Sequence, residues 1–134
     1  RELRYFAAAA RAGNLGRALV AYKGFAAKGF ELAAVFDSDP SKQGLAFGGQ
    51  KVRPISELTH AVQNEQVKLA MMAVPAEAAQ SVADELVSAG IKGILNFAPT
   101  SLGVPEGVSV QGVDLAVQLE QLSFKMSLSS TDSA

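Results

Sequence analysis

Two glycines three residues apart, and an aspartate about twenty residues beyond them, are the residues whose types and spacing point to chemistry. The glycines are Gly13 and Gly16, in Ala10-Arg11-Ala12-Gly13-Asn14-Leu15-Gly16-Arg17-Ala18-Leu19. A strand-like run, Leu3 to Ala10, leads into them, and Leu15, Ala18, Leu19 and Tyr22 follow at helical spacing. Strand, glycine turn and helix form the context in which such a motif binds a dinucleotide. The backbone must pass close to a pyrophosphate, and the free N–H groups and positive dipole end of the helix hold the anion. Gly13 would permit the close approach, and Gly16 would let the helix sit tightly on the sheet. The first glycine of the motif is replaced by Arg11. Its charge would favour the pyrophosphate, whereas its bulk would block it.

Asp37 closes the run Leu32-Ala33-Ala34-Val35-Phe36. A carboxylate there is placed to accept hydrogen bonds from a ribose. With Asp39 beside it, it would repel a 2′-phosphate, which favours NAD(H) over NADP(H). The plainer alternative is a solvated acid that ends a strand.

Composition narrows the classes. The chain has 134 residues, one domain's worth, and 49% of them are hydrophobic. The formal net charge of −1 gives no overall basic field for nucleic acid. Cysteine is absent, so disulfides, thiolate metal sites and thiol redox chemistry are excluded. The single histidine, His60, argues against a histidine metal site or a Ser-His triad, and reads as a surface residue. No apolar run reaches the ~20 residues that span a membrane, and no signal peptide is visible. The expectation is a soluble, cytoplasmic protein with no membrane partner.

The elements that must position these residues follow in order. Leu3 to Ala10 is expected as the first strand, although Ala7 to Ala10 has poor strand propensity and could equally open a helix. Asn14 to about Lys28 reads as a helix ended by Gly29, and Glu31 to Phe36 as a strand. Ser41 to Gln50 is read as a loop, Lys51 to Arg53 as a short edge strand, and Ser56 as the N-cap of a helix over Glu57 to Asn64. Val67 to Val74 is a buried strand with Met71 and Met72 as core filler. Pro75 then stands in the first turn of a helix from Ala76 to Ala89, closed by Gly90. Its apolar face is Ala79, Val82, Ala83, Leu86 and Val87. Gly93 to Phe97 and Val108 to Val110 are further strands, and Gly112 to about Met126 a last helix. Strands alternating with helices give a Rossmann-type α/β fold, a doubly wound parallel sheet. Right-handed crossovers put the first and fourth strands side by side. The candidate site then gathers the Gly13 turn, Asp37, Val74-Pro75 and Asn96-Phe97-Ala98-Pro99.

Several stretches together resemble the redox-sensing transcriptional repressors of the Rex family. They are Gly13 to Leu19, Tyr22, Gly24-Phe25, Gly29-Phe30, Phe36 to Pro40, Ala73 to Ala76, Gly93 to Pro99, Val104 to Gly107 and Val113 to Leu115. They cover nearly the whole chain and stand in the family's order. The resemblance is to the C-terminal NAD(H)-binding domain, and it implies a sensor of the NADH/NAD⁺ ratio, not an enzyme. It further implies that Ala12, Gly13, Asn14, Leu15 and Gly16 hold the pyrophosphate and that Asp37 takes the adenosine ribose. Ala73, Val74, Pro75, Asn96, Phe97, Ala98 and Pro99 would line the site towards the nicotinamide. Tyr22 and Asp114 match the tyrosine and aspartate that register the nicotinamide state across a homodimer.

The last helix resembles the one Rex subunits exchange, although periodicity alone is equally met by a helix packed on its own sheet. The implied division is a Rossmann domain over residues 1–112, a dimerisation helix over 113–126 and a frayed tail over 127–134. Operator DNA would be bound only through an N-terminal winged helix that these 134 residues do not contain. Arg11 and the four alanines depart from the family's pattern and bear on pyrophosphate binding. The competing classes are a CoA- or nucleotide-binding Rossmann module, a small NAD-dependent oxidoreductase, and a domain kept for dimerisation alone. No Tyr-x-x-x-Lys or His-Asp pair supports the oxidoreductase.

Overall fold

Alanine is a poor strand former, yet Tyr5–Ala10 is a strand (β1) in the middle of the sheet. This is seen in a computed structural model, which describes residues 5–10, 27–37, 41, 43–47 and 49–132. β1 is held from both sides, in parallel with β2 (Glu31–Asp37) and with β5 (Leu69–Ala73). Backbone pairing on both sides outweighs the weak local preference of four alanines. Its pairing with β2 shifts register between Phe6 and Ala7.

The remaining strands are β3 (Ala46–Phe47), β4 (Gln50–Pro54), β6 (Gly93–Asn96) and β7 (Ser109–Gly112). The order across the sheet is β3-β4-β2-β1-β5-β6-β7, and every pairing is parallel except that of β3 with β4. The strand that begins near Val67 thus lies beside the first strand, as right-handed crossovers require. This is the Rossmann-type doubly wound architecture. The helix expected over Asn14 to Lys28 falls almost wholly outside the described residues.

Helices α1 (Leu58–Asn64) and α2 (Ala76–Ala89) cover one face of the sheet. Leu58, Ala61, Val62, Ala79, Val82, Ala83 and Leu86 pack there against Phe36, Ala70, Met72 and Ile94. Full burial of a side chain such as Leu58 or Leu86 contributes about 1.5–3 kcal/mol each. Met71 points to the other face, as strand alternation demands, and packs with Phe30, Leu32, Leu69 and Leu95. A hollow of about 350 Å³ opens there, lined by Phe30, Leu69, Met71, Leu95 and Val110 among others.

Several expectations need correction. Lys51–Arg53 lies within β4, which is not an edge strand: the two-residue β3, expected as loop, takes the edge. Ser56 does not cap α1. It sits inside a 3₁₀ turn (Ile55–Glu57), and the residue before α1, Glu57, makes no side-chain cap. Pro75 is the extended residue before α2, with ψ 153°, not its first helical residue. Val87 is only partly buried, and Ala89 completes the buried face of α2. Gly90 closes α2 in the left-handed region, φ 113°, where a glycine is free to go.

The last helix, α3 (Leu115–Asp132), begins after Gly112 and runs well past Met126. The stretch expected to fray is therefore helical through Asp132. α3 carries Val117, Leu119, Leu122, Phe124, Met126 and Leu128 exposed. No helix among the described residues is long and apolar enough to cross a membrane.

Candidate functional site

In an open parallel sheet, ligands bind outside the carboxyl ends of the strands, where the strand order reverses. Here that point lies between β1 and β5. Among the described residues only two polar side chains are buried, Asp37 at 1% exposure and Asn96 at 3%. Asp37 is the last residue of β2 and Asn96 the last of β6. They therefore stand on opposite sides of the switch point, each one strand out from the β1–β5 pair.

The burial of Asp37 removes the reading of a solvated strand-end acid. A buried carboxylate is retained only where hydrogen bonds or charges compensate its lost hydration. Its backbone carbonyl accepts a hydrogen bond from Gln43 Nε2 at 3.1 Å, which ties the following loop to the end of β2.

Asn96 organises the other side. Its Oδ1 accepts from the Ala98 N–H at 2.9 Å and its Nδ2 donates to the Thr100 carbonyl at 2.9 Å. The side chain thus replaces a backbone partner and folds the chain into a tight turn. The Phe97 N–H donates to the Met72 carbonyl at 2.8 Å, so the turn stays joined to β5. Ala98 is buried, Phe97 half-buried and Pro99 exposed. Ala73, Val74 and Pro75 are half-buried at the end of β5 and lead directly into α2.

Asp114 is exposed, and its local role is clear: Oδ1 accepts from the Val117 N–H at 3.1 Å, an N-cap of α3. The preceding residue, Val113, donates its N–H to the Asn96 carbonyl at 2.8 Å. The end of β7 and the start of α3 are thereby fixed to the end of β6.

The structure brings Ala73, Val74, Pro75, Asn96, Phe97, Ala98 and Pro99 to adjacent strand ends, with Asp37 across the switch point. Ala12, Gly13, Asn14, Leu15, Gly16 and Tyr22, and Arg11 with them, lie outside the described residues. Among the described residues no group of three or more His, Cys, Asp or Glu could hold a metal ion. Sequence reasoning missed Gln43, Thr100 and Gln80, whose backbone contacts leave no periodic signal. Gln80 Nε2 donates to the Gly103 carbonyl, and its Oε1 accepts from the Gly103 N–H, both at 2.8 Å.

Comparison with known proteins agrees with this fold. The family model described as CoA binding domain matches residues 12–100. The chain belongs to the CoA-binding domain family. Within that family its relatives are Rex proteins, as the sequence motifs imply. The chain is 48% identical over 114 residues to the redox-sensing transcriptional repressor Rex of Rhodopirellula baltica, covering 85% of this chain and 48% of the relative. It is 51% identical over 115 residues to that of Carboxydothermus hydrogenoformans, covering 86% and 55%. The chain thus spans about half the length of the curated relatives it matches.

Solved structures agree as well. The Rex-family repressor RSP in complex with β-NADH superimposes with a TM-score of 0.87 at 32% identity, over 96% of this chain and 62% of that one. RSP with β-NAD⁺ and operator DNA gives 0.85 at 32% identity, over 96% and 59%. These relatives are named transcriptional repressors, not enzymes.

Proposed function

We propose that this chain is the NAD(H)-sensing domain of a Rex-type transcriptional repressor and responds to the NADH/NAD⁺ ratio. The observation that carries the proposal is the pair of buried polar residues, Asp37 and Asn96, at strand ends on opposite sides of the switch point. Asp37 would accept hydrogen bonds from the adenosine ribose. Ala73-Val74-Pro75 and the turn built on Asn96 would face the nicotinamide. The Gly13–Gly16 turn, with Ala12, Asn14 and Leu15, would hold the pyrophosphate. The nicotinamide ring is cationic in NAD⁺ and neutral in NADH, and this difference is what such a site has to read. RSP, 32% identical, was solved with both forms of the cofactor, one of them alongside operator DNA.

Residues 1–112 form the cofactor unit in this reading, and the segment from Val113 onward is an exchange arm for a homodimer. The exposed apolar residues of α3 support the arm, because a helix with such a surface is normally covered. The apolar hollow over β5 to β7 offers matching surface on a second copy. Tyr22 and Asp114 would meet across that dimer. Operator DNA would be bound by a winged helix outside residues 1–134, and the whole repressor would act in the cytoplasm.

Calorimetric titration of this chain with NADH, NAD⁺ and CoA tests the reading. Micromolar or tighter NADH binding, with NAD⁺ much weaker, supports it. Tight CoA binding without NADH binding replaces it with a CoA module, the competing reading that the family's description favours. No binding of any of the three leaves a dimerisation scaffold whose turn Arg11 has closed.

A further inference from the structure

Two segments approach the proposed nicotinamide end of the site from neighbouring strands. Val74-Pro75 leaves β5 and becomes α2, and the Asn96 turn leaves β6 and continues as a loop to Gly103. Gln80, one turn into α2, joins them. Its amide meets both backbone groups of Gly103 at 2.8 Å, as a strand partner would. The same Nε2 donates to Asp84 Oδ1 at 2.8 Å, one helical turn further on. Asp84 accepts only, so it fixes which end of the Gln80 amide is nitrogen. The loop is thus held at its start by Asn96 and at its end both by Leu102, packed against the main core, and by Gln80. The contact needs an amide, which both donates to and accepts from a single residue's backbone, and glutamine supplies it here.

We propose that Gln80 is a positioning residue for the nicotinamide end of the site, fixing the Asn96–Gly103 loop at a set distance from Val74-Pro75. The role rests on the NAD(H) reading above. It explains why an exposed polar residue on the solvent side of α2 is tied to an exposed loop, when neither touches the core through that bond. Gln80 acts through the loop and makes no contact with cofactor itself. Loss of the clamp leaves the adenosine side, built on β2, unaffected.

The test uses the full chain with Gln80→Met, which keeps length and flexibility but removes the hydrogen bonds, and Gln80→Glu, which keeps only the acceptor. NADH and ADP-ribose are titrated into each, and amide exchange at Gly103 and Ala98 is followed without ligand. The expected result is Gly103 exchange at least about tenfold faster in Gln80→Met, and NADH affinity about fivefold weaker, the scale of one lost hydrogen bond. ADP-ribose affinity stays unchanged. Gln80→Glu follows Gln80→Met, because its carboxylate faces both the Gly103 carbonyl and Asp84. Equal losses for NADH and ADP-ribose, or unaltered NADH affinity, overturn the role while the cofactor reading stands. Failure of the unsubstituted chain to bind NADH overturns the cofactor reading and this role with it.

Discussion

Gly93 and Leu69 face each other across the β5–β6 pairing with no room for a methyl group between them. A Cβ on Gly93 would stand 2.7 Å from Leu69 Cδ2. Gly93→Ala therefore forces the leucine tip aside, towards the hollow that both residues line. Because the leucine tip is flexible and has the hollow to move into, the expected cost is about 1 kcal/mol of stability, the low end of overpacking. In a Leu69→Ala background the same substitution costs close to nothing, and urea denaturation of the four proteins measures the difference.

Asn96→Ala strips the buried Ala98 N–H of its acceptor and the Thr100 carbonyl of a donor. The expected destabilisation is about 1–3 kcal/mol, the range for an unsatisfied buried group. Asn96→Asp keeps the acceptor for Ala98 but loses the donor and sets a carboxylate oxygen against the Thr100 carbonyl. Amide exchange at Ala98 is then accelerated by the alanine substitution and not by the aspartate.

Asp37→Ala weakens NADH binding by about 1–3 kcal/mol, the scale of hydrogen bonds to a charged acceptor. Far-UV circular dichroism, recorded in parallel, checks that the sheet survives loss of a residue so well buried. Affinity equal to that of the unsubstituted chain makes Asp37 a purely structural end to β2.

Removal of residues 113–134 yields monomers in sedimentation velocity, because the exchange arm is gone. Phe124→Glu on the intact chain does the same without shortening it, since Phe124 is 66% exposed on α3 and can be charged without disturbing the rest of the chain. A dimer that survives both changes rules out the arm.

The parts of this fold legible in the sequence are those whose local signals agree with their surroundings. Val67 to Val74 is apolar at every position but Lys68 because β5 is a central strand, and α2 announces itself through Pro75, a 3.6-residue apolar period and Gly90. Asp37 was legible as a candidate from its spacing, but its burial was not, because burial depends on what packs over the strand end. β1 was ambiguous because Ala7 to Ala10 say little locally, and two neighbouring strands decide the matter. β3 is two residues long, too short for any period. Ser56 carries the right chemistry for a cap, yet the chain tightens into a 3₁₀ turn through it. The far end of α3 was hidden by polar composition, since Ser and Thr lower helix propensity only slightly once a helix is under way.

On α3, Leu119, Leu122, Phe124, Met126 and Leu128 are all at least half exposed in the single chain. In the proposed exchange their burial comes from another molecule, which ties the free energy of this helix to encounter. Each tenfold dilution removes about 1.4 kcal/mol of whatever stability association supplies. Under that proposal abundance becomes a structural variable: how many copies a cell holds would set how much of α3 is formed at a given moment.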